Sequence, residues 1–390
     1  MKFIEDLDVR HKTVFVRVDF NVPLDERGEI RDDTRIRASL PTIQYLLNKG
    51  AKLVLASHLG RPKKPDPSAS LRPVAARLSA LLGREVQMAP DVVGPEVDRL
   101  KAGLKDGDVL LLENVRFNPG EIKNDPDLSK ALAKGIDVFV NDAFGSSHRA
   151  HASVVGIAGF VPVKAAGFLM KKEVDFLKKA IDPVKPYVAI LGGAKTEDKI
   201  PVIEALLEKA DTILIGGAMA YTFLAAQGYG VGKSLVETDK FEIALNILKK
   251  AKERGVDFRL PSDHVLTASI ESGTVARVAD AYPLPAELMG VDIGPRTVAA
   301  YAEIIGRAKT VFWNGPLGVF ETPAFAKGTM QIAQAVAAAK AVTIIGGGDS
   351  IAAVAKAGVS DKISHISTGG GASLEFIAAG TLPGIEALEA

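Results

Sequence analysis

The chain has 390 residues, 47% hydrophobic and 24% charged, with a formal net charge of +1. That length suffices for two cores, and the near-neutral charge excludes bulk attraction to nucleic acid or an anionic membrane while leaving room for a local basic patch. Cysteine is absent, which removes disulfides, a thiolate nucleophile and Cys-ligated metal.

The first residues, MKFIEDLDVR, carry acids where a signal peptide needs an apolar run. No stretch of about 18 uninterrupted apolar residues follows. The expectation is a soluble, cytoplasmic protein that binds neither membrane nor nucleic acid.

From there apolar runs alternate with helical patterns. Thr13–Asp19 reads as a strand, Thr34–Lys49 as a helix, Lys52–Ser57 as a strand and Leu71–Leu82 as a helix. Val109–Glu113 and Asp137–Asn141 are further strands. Phe168–Ile181 reads as an amphipathic helix with Leu169, Val174, Leu177 and Ile181 on its apolar side, ended by Asp182–Pro183 and Lys185–Pro186. The strand pattern resumes at Tyr187–Leu191, Thr212–Ile215, Val311–Trp313, Val342–Ile345 and Ile363–Ile366, and Pro261–Pro285 suggests a small β-excursion. Continuous Val/Ile/Leu runs separated by helices predict βαβ units and buried parallel strands, an α/β fold. The stiff segment 168–186 is expected to join two domains, with one more surface helix in a single domain as the plain alternative.

Ligands of open α/β sheets bind beyond the carboxyl ends of the strands. In the second half those ends are glycine-rich: Gly192-Gly193, Gly216-Gly217, Gly346-Gly347-Gly348-Asp349-Ser350 and Gly369-Gly370-Gly371. Glycines let backbone approach a phosphate, and the following helix N-terminus offers free N–H groups. Asp349 could ligate Mg²⁺, which takes carboxylate and phosphate oxygens, or simply cap a turn. Lys195 and Lys199 beside a glycine pair suit a phosphate in transit, and a solvated surface turn is the alternative. In Val311–Glu321, Asn314 and Glu321 could meet ribose hydroxyls, and Pro316, Leu317 and Val319 could line a purine slot.

The first half instead ends its strands in Asp19, Asn21, Arg35, His58, Arg61, Arg116 and Arg149, with Arg17, His148 and His151 nearby. Converging guanidinium forks would bind a small polyanion. For any one arginine a surface ion pair is the plain reading, and Arg17, inside its strand, could be structural. His148-x-x-His151 lacks a third metal ligand. Two substrates on two surfaces, with a group passed between them, is the reading that uses both halves.

Two decoys fail. Gly228–Ser234 ends like a Walker A loop, but Gln227 stands where the first glycine is needed and a helix precedes it. No Gly-x-Gly-x-x-Gly with a downstream ribose acid follows a strand, which removes the fingerprint of a dehydrogenase. A non-enzymatic anion-binding protein would need neither the Mg²⁺ ligand nor the paired lysines.

RVDFN (17–21), SHLGRP (57–62), ENVRF (113–117), NDAFGSSHRAHAS (141–153), LGGAKTEDKI (191–200), FWNGPLGVFE (312–321), GGGDS (346–350) and STGGGASLE (367–375) occur in this order. Together they resemble the signature segments of the phosphoglycerate kinase family over nearly the whole chain. The resemblance implies two Rossmann-like three-layer domains, each with a mainly parallel six-stranded sheet, joined by a helical hinge. Residues 1–167 with a returning tail of about 374–390 would hold 3-phosphoglycerate or its 1,3-bisphosphate through Asp19, Asn21, Arg35, His58, Arg61, Arg116 and Arg149, with His151 nearby. Residues 187–373 would hold MgATP or MgADP through Lys199, Asn314, Glu321, Gly347, Gly348, Asp349 and Ser350, with Asp349 on the metal. Arg35, Lys195 and the amides around Gly370 would stabilise the phosphoryl group in flight. A monomer is implied. One departure stands out: Ala218 occupies a position where many family members have glycine.

Overall fold

The computed structural model describes all residues, Met1–Ala390. The chain divides into two compact units, Met1–Val174 with Thr381–Ala390, and Asp175–Gly380.

The first unit contains β1 (Thr13–Arg17), β2 (Lys52–Ala56), β3 (Val86–Met88), β4 (Val109–Leu111), β5 (Val138–Asn141) and β6 (Val163–Ala166). They form one sheet in the order β3-β4-β2-β1-β5-β6, every neighbouring pair parallel. β1 and β5 are buried at every residue, as a sheet covered by helices on both faces requires. Registers Arg17↔Ala56 and Arg17↔Asn141 bring three strand ends level, so the loops after them leave from one edge. β1 lies between strands that propagate in opposite directions, which makes its end a topological switch point.

The second unit repeats the plan. Its strands are β7 (Tyr187–Leu191), β8 (Thr212–Ile215), β9 (Asp257–Arg259), a small antiparallel sheet of β10 (His264–Thr267), β11 (Arg277–Ala279) and β12 (Met289–Ile293), then β13 (Thr310–Asn314), β14 (Val342–Gly346) and β15 (His365–Ile366). The large sheet runs β15-β14-β13-β7-β8-β9, all parallel, and the small one β11-β10-β12. Its switch point lies between β7 and β13, whose ends Leu191 and Asn314 are paired.

Several expected boundaries shift. β4 stops at Leu111 and β15 starts at His365. β3, β6 and β9 were not anticipated, because as sheet-edge strands they are partly exposed and carry no continuous apolar run. The β-excursion extends to Ile293. In the helix Phe168–Ile181 the buried stripe is Met170, Val174, Leu177 and Ala180, rotated from the expected one; Leu169 and Ile181 are only half-buried. The chain returns to the first unit at Thr381 rather than near 374, since the helix Gly371–Ala379 runs on until Gly380 ends it in a left-handed conformation.

Candidate functional site

At the β1 edge, Arg17 is buried and points inward. Its Nε donates to Ser153 Oγ at 2.8 Å, and Nη2 lies 3.3 Å from His58 Nδ1. Ser153 and its own N–H in turn bond Glu121, which is fully buried. Arg17 is therefore structural, and it orients the His58 ring. Burial, then Arg17, Arg116 and Arg35, outweigh the attraction of Asp19 and push His58 down to about 3, so the imidazole is neutral. With Nδ1 accepting from Arg17, the ring proton is assigned to Nε2.

Asp19, two residues beyond β1, ion-pairs with Arg35 from the helix Thr34–Asn48 and accepts the Asn21 N–H at 3.1 Å. Burial works to raise this carboxyl, but Arg35, the Asn21 N–H and Arg17 together hold it below the ordinary carboxylate range. Asn21 Oδ1 accepts from Gly60 N–H at 2.8 Å, and Arg116 Nη1 donates to Gly60 O at 2.6 Å. Burial and then the charges of Arg61 and Arg149 lower the Arg116 guanidinium against the pull of Glu121 and Asp19, and its Nε is buried without a partner. Arg61 and Arg149 are exposed. The structure thus brings Asp19, Asn21, Arg35, His58 and Arg116 into one connected group with a surplus of cationic charge, the electrostatics of an anion site. His151 stands 3.9 Å from Glu121, and burial with the neighbouring arginines lowers it to about 4.

In the second unit, the glycine loops after β7, β8 and β13 touch one another. Gly193 N–H donates to Pro316 O at 2.9 Å, and Gly217 N–H to Leu317 O at 3.0 Å. A Cβ on Gly192 would lie 2.1 Å from Pro316 O, so only glycine fits there. Lys199 ends a 3₁₀ turn, Glu197–Lys199, ahead of the helix Ile200–Leu207. Its Nζ donates to Asn314 Oδ1, and Asn314 Nδ2 donates to Gly346 O at 2.8 Å. Gly347, at φ +93°, turns the chain into the helix Gly348–Lys356, whose first turn holds Asp349 and Ser350. Ser350 Oγ accepts the Gly315 N–H at 2.5 Å. Gly370, at φ +55°, similarly precedes the helix Gly371–Ala379. Lys195 is exposed and carries no ion pair.

A cavity of about 250 Å³ opens among these loops. Pro316, Leu317 and Val319 give it an apolar wall, while Glu321 and Asp349 border it. No group of three His, Asp or Glu side chains is placed to hold a metal by itself.

The chain matches the family model described as phosphoglycerate kinase over residues 4–380. It belongs to the phosphoglycerate kinase family. A relative from Koribacter versatilis, named phosphoglycerate kinase, is 56% identical over 395 residues, covering 99% of this chain and 98% of that one. A wheat relative named phosphoglycerate kinase, cytosolic, is 55% identical over 388 residues, covering 98% and 97%. Among solved structures, the phosphoglycerate kinase of Coxiella burnetii superposes with a TM-score of 0.91 at 41% identity, covering 99% and 98%. That of Pyrococcus horikoshii gives 0.86 at 38%, covering 100% and 98%.

The activity is accordingly the glycolytic phosphoglycerate kinase reaction, a phosphotransfer with a carboxyl group as acceptor and a nucleotide as co-substrate. No helix is long and apolar enough to cross a membrane.

For a member of this family, Ala218 is a harmless departure: its φ is −65°, so the backbone asks for no glycine. Sequence reasoning missed Tyr221, Gly290 and Asp292, which also line the cavity. Gly290 and Asp292 belong to the small sheet's β12, distant in sequence from every glycine loop, and Tyr221, four residues beyond Gly217, belongs to no motif that singles it out.

Proposed function

We propose that the first unit holds 3-phosphoglycerate or 1,3-bisphosphoglycerate and that the second holds ATP or ADP with Mg²⁺. The observation that carries this reading is the second-unit cavity, apolar at Pro316, Leu317 and Val319 and bordered by Asp349 in the first turn of the helix Gly348–Lys356. A base would occupy the apolar part. The phosphates would lie toward the Gly347–Ser350 helix end and Lys199, where N–H groups and an ammonium face anionic oxygens.

Asp349 fits Mg²⁺, since that ion takes one or two carboxylates plus phosphate oxygens and waters rather than a full protein cage; the lack of a three-ligand cluster agrees with this. When bound, Mg²⁺ would neutralise charge on the phosphates. Asn314, holding Lys199, and Glu321 would meet the rest of the nucleotide.

Across from it chemically, Arg61, Arg116 and Arg149 would bind the phosphoglycerate anion, while Asp19, Asn21 and His58 Nε2–H would address its hydroxyl and carboxylate. Lys195, Arg35 and the amides around Gly370 would stabilise the phosphoryl group during transfer. A loose, charge-spread transition state needs such positioning and no protein nucleophile. Closure of the two units about the helix Phe168–Ile181 would bring the reactants to about 3–3.5 Å and exclude water. We further infer a cytoplasmic monomer that binds no nucleic acid.

The test is a coupled assay of ATP with 3-phosphoglycerate, detecting 1,3-bisphosphoglycerate through glyceraldehyde-3-phosphate dehydrogenase and NADH loss. Turnover stopped by EDTA and by Lys195→Ala supports the assignment. Full turnover in EDTA removes the metal from it, and full turnover in Lys195→Ala removes the lysine.

A further inference from the structure

One polar group on the cavity wall has no part in phosphoryl transfer. Tyr221 lies in the helix Met219–Ala226, and its Oη is 3.0 Å from Nδ1 of His264, the first residue of β10; His264 Nε2 is 2.7 Å from Tyr282 Oη. The rings touch, with centroids 5.3 and 5.7 Å apart. Tyr221 is 4% and His264 1% exposed, whereas Tyr282 is half-buried. The hydroxyl end of Tyr221 abuts Gly290, where a Cβ would lie 1.8 Å from Oη, and both residues line the cavity.

Other polar side chains there are occupied or assigned. The Asp292 oxygens accept the N–H groups of Gly328 at 2.7 Å and Ile293 at 2.9 Å. Glu321 and Asp349 are exposed and assigned to ribose and metal. The apolar residues hold the face of any base without distinguishing one base from another, because only hydrogen bonds to ring edges do that.

Burial lowers His264 to about 4, so the ring is neutral, with one N–H and one lone pair. The chain of bonds can therefore run either way. If Tyr282 donates to Nε2, then Nδ1–H donates to Tyr221, whose proton is free for an acceptor. If Tyr221 donates to Nδ1, then Nε2–H donates to Tyr282, and Tyr221 keeps a lone pair for a donor.

We propose that Tyr221 is a specificity-determining residue that reads the hydrogen-bonding edge of a purine in this cavity, and that reversal of the Tyr221–His264–Tyr282 chain lets one hydroxyl serve either a 6-oxo or a 6-amino purine. This rests on the reading of the cavity as the nucleotide site.

The test compares ATP, GTP and the 6-unsubstituted purine riboside triphosphate, by KM in the coupled assay and Kd by calorimetry. Wild type should use ATP and GTP within about tenfold of each other and bind the unsubstituted purine roughly three- to tenfold more weakly, the worth of one neutral hydrogen bond. In Tyr221→Phe the three should converge to within about twofold. Val319→Trp, at a partly exposed point of the same wall, should weaken all three together. If Val319→Trp does so but the spread survives in Tyr221→Phe, Tyr221 does not read the base and the proposal fails alone. If Val319→Trp leaves all three unaffected, the cavity is not the base site and the underlying reading fails as well. A preference in wild type beyond about a hundredfold for one purine overturns the reversal.

Discussion

Lys199 is held where burial penalises its charge: its ammonium is lowered to about 8, with Asp198 and Asp349 resisting the shift. In the unliganded fold it loses its proton as pH rises through that value, whereas a bound polyphosphate would keep the proton on. Nucleotide affinity should therefore weaken from pH 7.5 to 9.5, with proton uptake on binding measurable by calorimetry in buffers of different ionisation enthalpy. Lys199→Arg should flatten that dependence, because a guanidinium stays charged. The linked stability effect has the opposite sense. The folded state binds fewer protons than the unfolded chain between about 8 and 10.4, so unliganded stability gains from Lys199 as pH rises through that window. Arg35 and Lys195 are proposed to act on the moving charge rather than on nucleotide binding. Arg35→Ala or Lys195→Ala should lower kcat roughly 10²–10³-fold while nucleotide Kd by calorimetry changes less than about threefold. An unchanged kcat would remove the residue from its role. These residues were legible from residue type at strand ends. The bonds that position such side chains, Lys199 to Asn314 and Arg17 to His58 among them, join segments far apart in sequence and were not.

At the level of elements, the helix Phe168–Ile181 starts on Asp142, the residue after β5. Asp142 Oδ1 accepts the Met170 N–H at 3.1 Å, Oδ2 is buried without a partner, and a Cβ on Gly167 would strike the carboxylate at 2.2 Å. Burial raises this carboxyl to about 7, with Thr42 and the first N–H groups of the helix opposing. A raised folded pKa contributes stability that is complete below about 4, the unfolded value, and is lost as pH rises through 7. Asp142→Asn should abolish that slope, gaining about 1–3 kcal/mol relative to wild type between pH 5 and pH 8 in urea denaturation. Parallel slopes would mean the carboxylate is ionised throughout. Asp142 lies inside a motif that was read for its arginine and histidines; its capping role depends on a helix that begins 26 residues later, so the motif alone could not show it. The same limit explains the strands. Central ones announced themselves as buried apolar runs, but β3, β6 and β9 at sheet edges did not, because half-exposed strands carry mixed residues.

For the whole molecule, two parallel six-stranded sheets each place a switch point at a cluster of polar or glycine-rich loops. The chemical contrast between those clusters was visible in the sequence, since glycines and arginines sit at fixed distances after apolar runs. The cavity's far wall was not, because β12 comes from the small inserted sheet. The central claim is a division of labour, anion binding by the first unit and nucleotide binding by the second. Titration calorimetry on folded single variants tests it most directly. Arg61→Ala and Arg116→Ala should weaken 3-phosphoglycerate binding at least about tenfold, as loss of charge-assisted hydrogen bonds implies, and leave MgATP unaffected; Lys199→Ala and Asp349→Asn should do the reverse. If the arginine variants weaken MgATP, or if the Lys199 and Asp349 variants leave it intact while 3-phosphoglycerate binding falls, the two substrates are not divided between the units in this way.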